Sequence, residues 1–269
     1  LQDDYRKALA AIPNPYGRLW RIMAPGGGVS HLWGTYHTPH PLLLDLPDAF
    51  RAVLKDARVV ALEFDPLPES RAELNSAFDT ATLWNPWSSV PQPRDDIDPR
   101  VMGWILQRMT DSDWDASYLS QMTDAGLFSL ILFDPCGDYL SGVLPGQDFY
   151  IAQEAYLAGA EVTGLQQPQD LALQLTDPSR AANARALIQL YGAALGPDGA
   201  DRAIRSTAYA LYLQGRLGEL DLWSSDLLER VYPADEADRI ESLAKDYVLV
   251  ERNGFFVSAA RPLLDQGGA

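Results

Sequence analysis

The sequence predicts an α/β fold with a mixed, mainly parallel central sheet and a large helical insertion. Three observations lead to this prediction: a hairpin pattern near the start, a strand–helix–strand unit after it, and long helical periodicity in the middle. The chain has 269 residues, 47% apolar and 22% charged, so it can bury a sizeable core without disulfides or a structural metal. We expect one domain over residues 1–269, with a mainly helical middle part at about 68–245.

Two short apolar runs, 19–23 and 29–33, flank the segment Ala24-Pro-Gly-Gly-Gly28. Because glycine reaches positive φ freely, this pattern predicts a β-hairpin. The second strand ends at Gly34 and delivers Thr35-Tyr36-His37 into a loop at its carboxyl end.

A strand–helix–strand unit follows the hairpin. Pro47 and Asp48 indicate a helix start, because proline is tolerated in the first turn and aspartate suits the helix dipole there. The run 59–64 is rich in β-branched residues and almost wholly apolar, as in a strand buried on both faces. Strands of such a unit are parallel with a right-handed crossover, so we expect the strand before His37 and the strand carrying Glu63 to be neighbours.

The remaining elements are predicted to be mainly helical. Residues 82–99 contain two tryptophans, four prolines and three aspartates, and are expected to form an irregular loop. This loop would cover a site, bind an apolar or sugar ligand by stacking, or only pack against the rest of the protein. Helical periodicity covers 99–133, 149–158 and most of 178–247, with a short strand at 161–165. Gly267-Gly268 is a helix stop.

The charge balance argues against two classes of partner. With 37 acidic and 21 basic residues, the formal net charge is −16, which disfavours binding to nucleic acid or to anionic lipid. No apolar run approaches the ~20 residues that a transmembrane helix needs. The single cysteine, Cys136, leaves no internal disulfide and no zinc ribbon.

All three histidines, His31, His37 and His40, lie within ten residues. Histidine suits proton transfer near neutral pH and is the commonest metal ligand. His37 lies at the carboxyl end of a strand, the edge at which open parallel sheets bind ligands, and is therefore the functional candidate. His31 shares a face of its strand with Trp33 and is expected to have a structural role. His40 is expected to lie in an exposed loop or to support the residues that form the site.

Glu63 interrupts an apolar strand. An unpaired carboxylate is costly to bury, so we expect Glu63 near the strand end, beside a cation or a metal. If the two strands are parallel neighbours, His37 and Glu63 emerge at one sheet edge as a pair for metal binding or general-base catalysis. The alternative is a glutamate exposed to water at a strand exit. Arg252, after another apolar run, is either a cation of the same cleft or a solvated residue at a helix end.

Several segments together resemble the TraB/GumN family. The resemblance lies in His31–His37 with its G-T-x-H turn, Leu46-Pro47, Val60–Asp65 with its v-x-E-x-D pattern, Gly159–Leu165, Tyr209–Leu217 and Glu251–Asn253. The family includes the TIKI metalloproteases and is similar in fold to the erythromycin esterases and to the haem-binding lipoprotein ChaN. The resemblance therefore implies an erythromycin esterase/ChaN-like sheet.

The resemblance also implies a function, a metal-dependent hydrolase of the TIKI-like peptidase kind. His37 and Glu63 would be catalytic residues and ligands of a divalent metal ion of the Mn, Co or Zn class, and Arg252 a conformational or substrate cation. The substrate would be a peptide or a small molecule. Two alternatives remain: a metal-free, esterase-like hydrolase with His37 as base, and a non-catalytic protein that binds haem, a sugar or a partner. The chain begins at Leu1 and not at Met, which indicates either a removed signal peptide or a shortened chain. Together with this start, the resemblance predicts a periplasmic or secreted protein.

Two departures from the family pattern bear on these expectations. Leu263–Ala269 matches the helix end that precedes the family's second G-x-x-H, and no second histidine follows, so the family's final strand has no counterpart here. Either the chain continues further, or this member carries half of the site. Gln166 stands where the family has glutamate, and an amide cannot serve as an anionic ligand or base.

Overall fold

The fold was analysed in a computed structural model. The structure describes residues 2–64, 88, 90–111, 113–132, 144–167, 177–197 and 200–269. The sequence predictions made on Asp65, on residues 82–87 and on Cys136 lie outside the described residues.

The described chain is a helix-rich α/β structure, and the predicted fold class is confirmed at that level. Its strands are β1 Leu19–Met23, β2 Val29–Trp33, β3 Val59–Leu62 and β4 Glu161–Gly164. Its α-helices are α1 Gln2–Ala11, α2 Pro41–Leu44, α3 Asp48–Lys55, α4 Pro99–Asp111, α5 Asp124–Leu132, α6 Gln147–Ala158, α7 Ala181–Ala193, α8 Ala200–Leu213, α9 Leu217–Glu229, α10 Ala234–Lys245 and α11 Arg252–Gln266. Two 3₁₀ segments, Ala116–Gln121 and Pro178–Arg180, and a π-helical turn, Asp246–Glu251, complete the described elements.

The chain divides into two compact units. The sheet unit comprises the described parts of Arg18–Ala81, Cys136–Ala172 and Glu251–Ala269, and the helical unit comprises those of Leu1–Gly17, Thr82–Pro135 and Leu173–Val250. That these units make up one domain over 1–269 stays a prediction.

The sheet unit begins with the predicted hairpin, which is confirmed. β1 and β2 are antiparallel, with Leu19 opposite Trp33 and Met23 opposite Val29. The turn closes through Ala24 N–H donating to the carbonyl of Gly28 at 2.8 Å, and Gly27 takes a φ of 87° that disfavours other residues.

The predicted helix α3 and strands β3 and β4 are also present, and they share one core. β3 and β4 are parallel, with Val59 opposite Glu161. The core of the sheet unit consists of apolar side chains on or next to α3, β3 and α6, namely Leu46, Phe50, Leu54, Leu62, Ile151, Ala152, Ala155 and Ala160. The Trp33 ring stacks on Phe50 with 4.3 Å between the ring centroids, which ties the hairpin to this core.

The expected direct pairing of β2 with β3 is wrong. In the described residues, β2 pairs with β1, β3 pairs with β4, and each pair forms a separate two-stranded sheet. The C-terminal residues lie between them: Gly268 N–H donates to the Val29 carbonyl, while the Gly268 carbonyl accepts from Arg58 N–H, both at 2.8 Å. The chain reaches this position because Gly267 and Gly268 end α11, each with a φ of 72°. A large, mainly parallel central sheet is therefore not what the described residues form.

The described residues of the helical unit are mainly helical, and a helical middle part with the bounds of about 68–245 stays a prediction. α7 is the central element of this unit, with Leu187 and Ile188 almost fully buried. It approaches α4 closely, since a Cβ placed on Gly192 would lie 2.5 Å from Cγ1 of Val101. Residues 90–98 contain no helix or strand, as the predicted irregular loop requires. None of the helices in the described part of the chain is both long and apolar enough to cross a membrane.

Candidate functional site

The turn after β2 positions His37. Gly34 N–H continues the hairpin ladder by donating to the Arg18 carbonyl at 2.9 Å. Two residues later the chain has left the sheet, and Tyr36 N–H donates to Oε1 of Gln147 at 2.9 Å. The His37 side chain is thus held just beyond the carboxyl end of β2, where 59% of it is exposed.

Glu63 follows β3 directly, and the structure brings it to His37. Its Oε1 lies 3.7 Å from Nε2 of His37, and its side chain is 36% exposed. The two side chains that the sequence pairs are therefore neighbours, although Gly268 and Ala269 separate the strands that precede them.

Arg252, the third predicted residue, also belongs to this site. It begins α11, and its Nη2 donates to Oε2 of Glu63 at 3.0 Å. The guanidinium carbon lies 4.9 Å from the ring centroid of Phe256 and 5.6 Å from that of Phe64. With 12% of its side chain exposed, Arg252 is a clamp on Glu63 and not a solvated residue at a helix end.

Gln166 supports the same clamp. Its Oε1 accepts from Nε of Arg252 at 3.2 Å, and its backbone N–H donates to the Glu63 carbonyl at 3.0 Å. The residue is 3% exposed. A neutral amide therefore fulfils the hydrogen-bonding demand of this position without adding a second negative charge to Arg252.

Asp148 is the residue that sequence reasoning missed. Its Oδ2 lies 2.7 Å from Nδ1 of His37, and 26% of its side chain is exposed. The preceding residue, Gln147, is fully buried and donates from Nε2 to the Leu43 carbonyl at 2.6 Å, besides accepting from Tyr36. An aspartate in the first turn of a helix is common, so nothing in the local pattern distinguished Asp148.

The charges of the pair follow from these contacts. The hydrogen bond to Asp148, and after it the nearby Glu63 carboxylate, raises the pKa of His37 from 6.5 to about 10. Partial burial raises the pKa of Glu63, but the neighbouring His37, and then Arg252, outweigh burial and leave the pKa of Glu63 below its usual value. At neutral pH, without a metal, an imidazolium faces a carboxylate.

The other two histidines lie outside this pair. His31 is on β2, opposite Arg21, and its N–H donates to the Ala269 carbonyl at 2.8 Å. His40 caps α2, where its Nδ1 accepts from Leu42 N–H at 3.2 Å. The His40 side chain thus has a structural role as a helix cap, and a structural role of the His31 side chain stays a prediction.

The pair fits two ligands of one metal ion. Two donors of a tetrahedral zinc ion, each about 2.1 Å away, lie about 3.4 Å apart, close to the separation of Nε2 and Oε1. A carboxylate on the other ring nitrogen, as Asp148 provides, is the usual partner of a metal-bound histidine. Among the described residues, no group of three His, Cys, Asp or Glu side chains converges on one point, so His37 and Glu63 are two donors without a third.

Comparisons with known proteins agree with the motifs. The sequence matches the TraB/PrgY/gumN family over residues 18–269. No curated protein and no solved structure matched the chain. The family match includes every residue of the site described above, and the chain belongs to the TraB/PrgY/gumN family.

Proposed function

We propose that this chain is a TIKI-like, metal-dependent hydrolase that acts on peptide bonds, with His37 and Glu63 as its central pair. The observation that carries the proposal is the 3.7 Å separation of Nε2 and Oε1 between two side chains that are both partly exposed to solvent. One polar atom of each side chain is already bonded elsewhere: Nδ1 of His37 to Asp148, and Oε2 of Glu63 to Arg252. The remaining atoms, Nε2 and Oε1, therefore face each other.

His37 Nε2 and Glu63 Oε1 would hold a divalent ion of the Mn, Co or Zn class. A divalent ion bound there would supply Lewis acidity, lowering the pKa of bound water and polarising a carbonyl. The protein's own groups have separate tasks. Asp148 accepts a hydrogen bond from the Nδ1–H of His37, and Arg252 donates one to Oε2 of Glu63, so that Nε2 and Oε1 are the atoms that face each other.

A metal-free hydrolase is the nearest alternative, and the charges of the pair give it specific roles. Because the pKa of His37 is raised to about 10, His37 would donate a proton to the leaving group. Glu63, ionised at neutral pH, would take the proton from the attacking water. This reverses the expectation that His37 is the base.

A non-catalytic protein that binds haem, a sugar or a partner is the second candidate. The neutral Gln166, where the family pattern has glutamate, is the observation that favours it. If the protein is non-catalytic, a ligand should stay bound during purification and no substrate should be turned over.

The test combines metal analysis with a panel of peptide and ester substrates. We expect stoichiometric metal in the wild type, and loss of metal together with an activity loss of about 10²–10⁴-fold in His37→Ala and Glu63→Gln. His40→Asn is the matched control, because asparagine also caps a helix, and it should keep both metal and activity. Full metal content in both His37→Ala and Glu63→Gln would overturn the ligand assignment.

Chelation separates the candidates. Turnover that stops with a chelator and returns with metal supports the metal-dependent reaction, whereas chelator-resistant turnover that still needs His37 and Glu63 supports the metal-free one. A retained ligand with no turnover supports the binding protein.

We also propose a periplasmic or secreted location, on the family resemblance alone. Fractionation of cells that express the full gene tests it, and recovery of the protein from the cytoplasm would contradict it.

A further inference from the structure

Two consecutive residues of the His37 turn are held by two consecutive residues of α6. Tyr36 N–H donates to Gln147 at 2.9 Å, and His37 Nδ1 meets Asp148 at 2.7 Å. Gln147 is fully buried and fixed at its other end to the Leu43 carbonyl. The backbone bond thus sets where the turn lies, and the side-chain bond sets how the imidazole ring is rotated.

The second of these bonds also decides which ring nitrogen faces the cleft. A carboxylate accepts only, so Nδ1 must carry the proton that it donates to Asp148. In a neutral ring the lone pair then lies on Nε2, the atom that is 3.7 Å from Glu63. If the ring were turned over, or protonated on Nε2 alone, it would offer no lone pair to a ligand that it shares with Glu63.

Asp148 lies where the start of a helix favours a carboxylate. It lies in the first turn of α6, where the partial positive charge of the helix end favours a carboxylate. The short distance to His37 is that of a charge-assisted hydrogen bond, which is roughly twice as strong as a neutral one. The bond joins residues on two separately packed segments, so it restrains the ring.

We infer that Asp148 is a positioning residue, which keeps the Nδ1 proton of His37 in place and leaves Nε2 available to the ligand shared with Glu63. This inference rests on the proposed function, in which that ligand is a divalent metal ion. Asp148 itself contacts neither substrate nor metal in this scheme.

The first test uses the intact protein without metal. In the wild type, ¹⁵N-edited NMR should show a His37 Nδ1 proton that is shifted downfield and exchanges slowly. Asp148→Asn keeps an oxygen near the ring but not the charge, so it should weaken this signal, and Asp148→Ala should abolish it. Glu63→Gln should leave it, because Glu63 lies at the other nitrogen.

The second test titrates the same variants with Zn²⁺ and with Mn²⁺ by calorimetry. Loss of such a carboxylate partner lowers metal affinity about 10- to 100-fold, and Asp148→Asn should fall less than Asp148→Ala. Glu154→Gln removes a carboxylate from the same helix and is the matched control, with unchanged affinity. Thermal unfolding of each variant establishes that it is folded.

The two tests keep this inference apart from the proposed function. If the wild type binds no metal but the Nδ1 signal depends on Asp148, the metal proposal fails and the positioning role stands. If Asp148→Ala retains both the Nδ1 signal and full metal affinity, the positioning role is overturned.

Discussion

Replacing Arg252 by methionine tests whether the clamp on Glu63 stabilises the fold. The change removes a charge-assisted hydrogen bond to Glu63, worth about 1.5–3 kcal/mol, and two cation–π contacts of about 0.5–1 kcal/mol each. Methionine restores part of the packing against Phe64 and Phe256. Because the Glu63 side chain is 36% exposed and partly screened by solvent, we take the lower part of this range and expect a loss of about 2–3 kcal/mol.

Urea denaturation followed by tryptophan fluorescence measures this loss in free energy of unfolding. Arg252→Lys keeps the charge but not the planar fork that reaches both Glu63 and Gln166, so it should recover about half of the loss. Arg261→Met, at an exposed position of the same helix, is the matched control and should change stability by no more than about 0.5 kcal/mol.

A double-mutant cycle that combines Arg252→Met with Glu63→Gln measures the interaction energy between Arg252 and Glu63. Residues in direct contact couple by about 0.5–3 kcal/mol, and we expect about 1–2 kcal/mol between Arg252 and Glu63. The reasoning is refuted if the coupling is below about 0.3 kcal/mol, or if Arg252→Met is no more destabilising than Arg261→Met.

Three further predictions concern His37, Gln147 and the packing of α7. The pKa of His37 is raised to about 10, so the stability it contributes is fully present below pH 6.5 and lost as the pH rises through 10. Between pH 6 and pH 10, the wild type should lose up to about 1 kcal/mol more free energy of unfolding than His37→Asn, a value limited by the exposure of the ring. An equal change of stability with pH in the two proteins would contradict this. Gln147→Ala leaves two backbone groups without their partner and should cost about 2–4 kcal/mol in thermal or urea unfolding, so a loss under about 0.5 kcal/mol would be inconsistent with those bonds. Gly192→Ala places a methyl group 2.5 Å from Val101 and should lower the free energy of unfolding by about 1–3 kcal/mol. Gly103→Ala, where the added Cβ meets open space, should raise it by about 0.5–1 kcal/mol. Equal effects of the two substitutions would count against close packing at Gly192.

Local elements near the site could be predicted because short-range rules govern them. The hairpin followed from two apolar runs around a glycine-rich turn, and helix α3 from proline and aspartate at its start. The strand through Val59 followed from a run of β-branched residues. In each case the residues that specify the element lie within the element or next to it.

The sheet order could not be predicted in the same way. The strand–helix–strand rule favours direct neighbours, but the backbone groups of Val29 and Arg58 pair with Gly268, more than two hundred positions away. A segment of three residues after a helix has no periodicity of its own, so its place between two strands leaves no pattern in the sequence. Proximity of His37 and Glu63 was therefore predicted from an incorrect pairing. It holds because Glu63 directly follows β3, while His37 lies four residues beyond β2 on a turn that is bonded to Gln147 and Asp148.

The contacts that orient the central pair were hidden for a related reason. Asp148 is separated from His37 by 111 positions, and Arg252 from Glu63 by 189. Each bonds the outward atom of its partner, Nδ1 or Oε2, so that only Nε2 and Oε1 remain to face the cleft. A pair held in this way needs little reorganisation when it binds a ligand, because the ring and carboxylate rotations are set in advance. It follows that Asp148 and Arg252 set the orientation of His37 and Glu63, and that the proposed metal binding or proton transfer depends on this orientation as well as on the 3.7 Å spacing of Nε2 and Oε1.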